Sequence, residues 1–183
     1  MKIGIFGGSF DPIHLGHINA IQEVKLALSL DKIIVVPAFL SPHKVSASLD
    51  VDARLKCVKL ALEDYPDVTV SAYEVEQEKQ VYTFDTLQYF KLRYPDDDIV
   101  LIIGTDQYLN FNKWYEYQTI LDMFTVVVVN RYHASVDIDA PFIAIDMPIF
   151  EVSSTLIRTR MNDNAPFRHL VPPEVYTYLK ENK

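Results

Sequence analysis

His14 and His17 stand three residues apart around Gly16, directly after the stretch "GIFGGSFDP" (4–12). At the mouth of a helix, residues at that spacing share a face, so both imidazoles can point at one spot. The helix start adds unpaired backbone N–H groups and the positive end of the dipole. Gly16 removes a side chain from between the rings. Gly7 and Gly8 let the backbone approach a ligand closely and take positive φ. Together these residues describe an anion site that needs no lysine. Two glycines alone would indicate a tight turn, and a lone histidine a core residue. The pattern is neither G-x-G-x-x-G nor G-x-x-x-x-G-K-[ST], so the dinucleotide fingerprint and the P-loop are both missing. Zinc is the other use for a histidine pair, but no third ligand of suitable spacing follows.

A second cluster lies near the other end, in "VSSTLIR" (152–158). Ser153 or Ser154 suits an N-cap. Thr155 and Arg158 are three apart, and Ser154 and Arg158 four apart. Those spacings put hydroxyls and a guanidinium on one face above another positive helix end. An ordinary capped helix would look the same if the first cluster were missing.

The elements that must position these residues follow from apolar patterning. Runs of strand length recur at 2–6, 32–37, 68–75, 98–104, 125–130 and 142–147. Several are continuously apolar, as strands buried on both faces are. Helical patterns lie between them, at about 16–29, 51–64, 83–93, 113–123, 154–161 and 173–181. The alternation predicts an α/β fold with a Rossmann-like, doubly wound parallel sheet, expected to form one domain over 1–183. Ligands of such sheets bind beyond the carboxyl ends of the strands. The chemically unusual residues sit there, and 38–50 forms the longest irregular stretch.

Composition sets the outer bounds. Seventeen Lys and Arg against twenty-five Asp and Glu leave a formal charge of −8. That excludes a basic nucleic-acid-coating face but not a small phosphate ligand held by local donors. The single cysteine, Cys57, excludes an internal disulfide and any C-x-x-C metal site; its helical apolar neighbours make it a buried bystander. No run has the length of a membrane span or of a signal-peptide apolar region, so no membrane partner and a cytoplasmic location are expected.

The order GG-S-F-D-P-x-H-x-G-H resembles, position by position, the signature of the nucleotidyltransferases that carry an (H/T)-x-G-H motif, and "VSSTLIR" is similar to that family's second half. The resemblance implies a nucleotidyltransferase-type fold. It also implies that Gly7, Gly8, Ser9, Phe10, His14, His17, Ser153, Ser154, Thr155 and Arg158 hold ATP. Val152 is a mild departure from the family's isoleucine.

Four further segments look like those of the nicotinate-nucleotide adenylyltransferases. "SPHK" (41–44) brings Lys44, with His43 beside it, toward a phosphate. "YTFDTL" (82–87) brings Thr83 to the nicotinate end; Thr83 or Asp85 would otherwise only cap a helix. "IGTDQ" (103–107) brings Gly104 and Asp106 to ribose hydroxyls, where an acceptor-only carboxylate suits a diol. "KWYEY" (113–117) brings the only tryptophan, Trp114, to stack on the pyridine ring, and the Tyr115 N–H to its carboxylate; a core anchor is the plainer reading of that tryptophan. Arg131, just past the fifth apolar run, is expected to meet a phosphate. The implied catalytic residues are His14, His17, Lys44 and Arg158. The implied nicotinate mononucleotide contacts are Lys44, Thr83, Trp114, Tyr115 and Arg131. Mg²⁺ is expected to ride on the ATP; Asp11 is the nearest candidate for a protein ligand, with a structural role at the turn as its favoured reading. A sister transferase using phosphopantetheine, a nucleotide sensor without turnover and an NAD-dependent oxidoreductase are the competing readings. Trp114 with "YTFDT", the intact His17 and Arg158, and the missing G-x-G-x-x-G speak against them in turn.

Overall fold

Six strands form one all-parallel sheet in the order β3-β2-β1-β4-β5-β6, in a computed structural model that describes residues 1–40, 49–131, 136–148 and 150–182. The strands are β1 (Lys2–Gly8), β2 (Lys32–Pro37), β3 (Val68–Val70), β4 (Asp98–Gly104), β5 (Thr125–Arg131) and β6 (Ile143–Met147). Among the described residues eight α-helices accompany them: α1 (Leu15–Leu28), α2 (Val51–Leu62), α3 (Tyr73–Glu76), α4 (Thr83–Arg93), α5 (Thr105–Tyr108), α6 (Tyr117–Met123), α7 (Ser154–Asn162) and α8 (Pro173–Glu181). The strand order reverses between β1 and β4, and that reversal opens a crevice at the carboxyl edge.

The continuous apolar runs resolve into two faces once paired. Phe6, Val35, Ile102 and Val127 pack on one side with Ile21, Val24, Cys57, Val58, Ile157 and Val175. Ile5, Ile34, Leu101 and Val128 pack on the other with Leu87, Phe90 and Ile120. Each strand thus feeds both cores with alternate residues, which is why its sequence does not alternate in polarity. Burial pushes the Cys57 thiol up to about 12, so it stays protonated and inert, as a buried bystander should.

Three expectations change. The strand expected over 68–75 stops at Val70. There the Ser71 hydroxyl accepts from the Tyr73 N–H at 3.3 Å, and the chain turns into α3. The helix expected from 113 begins at Tyr117, after Glu116 takes φ 55°, and a 3₁₀ turn occupies Phe111–Lys113. Finally, Gly7 and Gly8 do not break the first strand. They extend it, opposite Val36 and Pro37.

Arg54 fastens the carboxyl edge. It sits on the buried side of α2 at 2 % exposure. Its Nη1 donates to the carbonyls of Ser9 (2.6 Å) and Ala38 (2.8 Å), and its Nη2 to that of Phe39 (2.8 Å). Burial pulls the guanidinium below its ordinary range, while Asp11 and Asp50 pull it back up. Arg54→Ala orphans three carbonyls at once. It is expected to cost about 3 kcal/mol, read as a fall in the urea midpoint at unchanged m-value.

Candidate active site

The loop after β1 is shaped by Phe10 rather than by the glycines. Neither Gly7 nor Gly8 has positive φ; Phe10 does, at 45°. That region costs a non-glycine residue about 1 kcal/mol or more. It folds the Phe10 ring back over Gly8, where a Cβ would meet the ring at 3.0 Å. The same ring meets His17 edge-on, 5.1 Å between centroids. A Cβ on Gly7 would touch only the Val36 carbonyl oxygen, at 3.9 Å, and would otherwise enter the space above the sheet.

His14 and His17 lie stacked, 3.7 Å between centroids, with His14 only 4 % exposed. The His14 backbone N–H donates to His17 Nδ1 at 3.2 Å. A neutral His17 ring that accepts at Nδ1 carries its proton on Nε2, so it presents a donor there. Gly16 lies against both halves of the site. A Cβ there would come within 3.0 Å of Val152 Cγ1 and 3.1 Å of His14 Nδ1.

The second cluster joins the first through backbone carbonyls. Ser153 caps α7 by accepting from the Leu156 N–H at 3.1 Å. The Ser154 hydroxyl donates to the Pro12 carbonyl at 2.9 Å. Arg158 donates from Nη1 to the Asp11 carbonyl at 2.8 Å and from Nη2 to Thr155 Oγ1 at 3.1 Å. Arg158 Nη1 also lies 3.7 Å from Asp11 Oδ2. Asp11, 2 % exposed, accepts from the Leu49 N–H at 2.9 Å, which fits the structural role expected of it.

Two cavities open at the crevice. One, of about 630 Å³, is lined by His14, Gly16, His17, Gly104, Thr105 and Asp106 among others. The other, of about 200 Å³, is lined by Ser9, Glu74, Tyr82, Thr83, Trp114 and Tyr115 among others. Gly7, Gly8 and Gln107 line both, so the cavities meet above the end of β1. Phe10 lines the larger cavity. Ser153, Ser154, Thr155 and Arg158 line neither; they back the turn that carries the histidines. His43 and Lys44 lie outside the described residues, as does the side chain of Arg131.

In the smaller cavity Trp114 stands after the 3₁₀ turn, not on a helix, with extended ψ of 147°. It tilts onto Phe111 at 4.9 Å. Its Nε1–H is buried and finds no acceptor among the described residues. Tyr115 leans on Tyr82 at 5.0 Å. Thr83 opens α4, whose N-terminus has no side-chain cap. Gln107 Oε1 accepts from the Gly104 N–H at 2.9 Å and so fixes the end of β4.

Three polar residues escape a reading of the motifs. Arg54 recurs on the apolar stripe of α2 with Cys57, Val58 and Ala61, and that position was its signal. Glu74, 8 % exposed, accepts from the Thr86 hydroxyl at 2.7 Å, and burial pushes its carboxyl up to about 7. Taking 68–75 for a strand hid it. Gln107 left no signal beyond its place after β4. Among the described residues no cluster of three or more His, Cys, Asp or Glu is arranged to hold a metal, and no helix is long and apolar enough to cross a membrane.

Residues 5–160 match the cytidylyltransferase-like family, which places this sheet, with its histidine-lined cavity at the switch point, among the nucleotidyltransferases. The nicotinate-nucleotide adenylyltransferase of Bacillus subtilis is 39% identical over 182 residues, 99% of this chain and 96% of that one. Two structures of the Plasmodium falciparum nicotinic acid mononucleotide adenylyltransferase share the fold. The one complexed with NaAD has a TM-score of 0.82 at 19% identity and the one complexed with APC 0.80 at 18%; each covers 99% of this chain and 95% of the other. The chain belongs to the cytidylyltransferase-like family and, within it, to the nicotinate-nucleotide adenylyltransferases.

In an open helix Gly→Ala stabilises by about 1 kcal/mol. Gly16→Ala is expected to do the reverse, because Val152 and His14 must both shift. A urea midpoint below that of the parent protein checks the sign.

Proposed function

We propose that the protein transfers the adenylyl group of ATP to nicotinate mononucleotide, giving deamido-NAD and pyrophosphate. The observation that carries the reading is the meeting of the two cavities over Gly7 and Gly8. The larger one offers the histidine pair to a triphosphate and Asp106 to a ribose. The smaller one offers Trp114, Thr83 and Tyr115 to a pyridine ring and its carboxylate. Two substrates bound there bring their phosphates together where β1 presents no side chain.

The chemistry asks little of the protein beyond placement. An oxygen of the mononucleotide 5′-phosphate attacks the α-phosphorus of ATP in line. The bond from the α-phosphorus to the bridging oxygen breaks, and pyrophosphate leaves with the electron pair. A phosphate monoester has its second pKa near about 6, so at neutral pH it is already a nucleophile and no general base is needed. His17 donates from Nε2 to the α-phosphate, and His14 serves the phosphates beyond it. Lys44, Ser154, Thr155 and Arg158 stabilise the departing pyrophosphate. The hydroxyl of Ser154 and the guanidinium of Arg158 must exchange their Pro12 and Asp11 carbonyls for phosphate oxygens to do so. Gly104 and Asp106 meet the ribose, and Arg131 meets the mononucleotide phosphate. Mg²⁺ arriving with ATP would supply charge neutralisation at the phosphates; Asp11, the nearest carboxylate, is already engaged by Leu49 and Arg158.

The direct test offers MgATP with nicotinate mononucleotide, its amide analogue or phosphopantetheine, and measures pyrophosphate. Release with the nicotinate compound well above the others is expected; release with phosphopantetheine alone overturns the pyridine half. His17→Ala is expected to lower kcat by about a hundredfold or more with circular dichroism unchanged, since a preorganised donor at a phosphate is worth that much. Trp114→Ala is expected to raise KM for the mononucleotide about tenfold and leave KM for ATP in place, because a stacked base is worth about 1–3 kcal/mol. Equal weakening of both would make Trp114 a core residue only.

A further inference from the structure

Glu74 has no part in the transfer chemistry, yet it lines the small cavity beside Thr83, Trp114 and Tyr115. Those three residues are the ones assigned to the nicotinate end, so any role for Glu74 in substrate choice rests on that reading. A cavity of about 200 Å³ that admits a pyridine carboxylate then holds two carboxyl groups. Two carboxylates in one low-dielectric space cannot both stay ionised without a cation between them. Lys113 also lines the cavity, but its Nζ donates to Asn110 Oδ1 at 2.9 Å on the exposed side. Among the described residues, the other titratable groups on the elements around Glu74 form no ion pair with it. Tyr82 and Tyr115 line the cavity, Tyr73 and Glu76 share α3, and the buried part of β2 is aliphatic. On α4 lie Asp85, Lys91, which donates to the Pro95 and Asp97 carbonyls, and Arg93, which donates to the Tyr89 hydroxyl. Arg54 is spent on three carbonyls elsewhere.

We propose that Glu74 is a specificity-determining residue that binds a proton together with the carboxylate-bearing pyridine nucleotide, so that pH sets the pocket's choice between acid and amide. The Thr86 hydroxyl donates to Oε1 at 2.7 Å and keeps the carboxyl in place through either state. Protonated, Glu74 is a donor and tolerates the substrate carboxylate. Ionised, it repels that carboxylate and is indifferent to a neutral amide. Burial has already raised its affinity for a proton to the neutral range, so the uptake needs only a small further push.

Linkage gives the sign. The nicotinate compound binds the protonated form better, so its affinity falls as pH rises through about 7. The amide's affinity has no such dependence. Both nucleotides carry the same 5′-phosphate, so its own titration cancels in their ratio.

Trp114 is the chain's only tryptophan and lines this cavity, so its fluorescence reports binding without turnover. The ratio of the dissociation constants, acid over amide, is expected to rise about tenfold from pH 6 to pH 8. Glu74→Gln, which keeps an acceptor for Thr86 but cannot ionise, is expected to flatten that ratio. Calorimetry on the unaltered protein at pH 7, in buffers of different ionisation enthalpy, is expected to show about half a proton more taken up with the acid than with the amide. A flat ratio, equal proton uptake with the two nucleotides, or the same slope in Glu74→Gln overturns the proposal while adenylyl transfer stands. Failure of the acid to bind, with no pyrophosphate released from either nucleotide, overturns both.

Discussion

A carboxylate at 2 % exposure must be compensated, and Asp11 is compensated from several sides. Leu49 donates to it from the chain leading into α2, Arg158 approaches from α7, and Arg54 adds positive charge from α2. Arg158 also takes the Asp11 carbonyl, and Ser154 takes that of Pro12. The turn between β1 and α1 is thereby tied to elements far away in sequence. The stacked histidines come directly after that turn, so their position rests on it. A buried charge of this kind adds little net stability. What it does here is couple two distant motifs into one geometry.

The sheet explains why the site stands where it does. Reversal of strand order between β1 and β4 leaves the ends of both strands uncovered by crossovers. β1 finishes in Gly7 and Gly8, β4 in Gly104, and Gln107 folds back to hold the Gly104 N–H. Small residues at the floor and helices on either side give two cavities with a common wall. The reaction needs that geometry more than any single reactive group, because both phosphates arrive as competent partners. A net charge of −8 is no obstacle when the donors are local: ring N–H groups, helix N-termini and a guanidinium act over a few ångströms, within the screening length.

The sheet, its direction and the meeting of the two motifs at one turn were legible because they rest on local signals. Continuous apolar runs mean two-sided burial, and histidine or hydroxyl spacing at a helix start means a shared face. Other features depend on long-range pairing. Strand pattern continues through Tyr73 and Glu74, but Ser71 turns the chain by capping it, so Glu74 enters a pocket instead of a sheet face. Helical pattern reaches back to Lys113, but Glu116 in the left-handed region starts the helix later and leaves Trp114 in an extended link. Positive φ was expected of the glycines and fell to Phe10, because a ring that must cover Gly8 and touch His17 needs the turn one step later. Arg54 carried a signal in its register on the apolar stripe, yet its three carbonyl partners become visible only when the loops fold over it.

The histidine pair shows how backbone geometry selects a tautomer. His17 Nδ1 is an acceptor because the His14 N–H points at it. In a neutral ring that accepts at Nδ1 the hydrogen sits on Nε2. His17 lines the larger cavity together with Phe10, whose ring meets it edge-on. Such a ring N–H is a donor that carries no charge of its own. Removing the left-handed turn at Phe10 would therefore disturb this chemistry without touching an ionisable group.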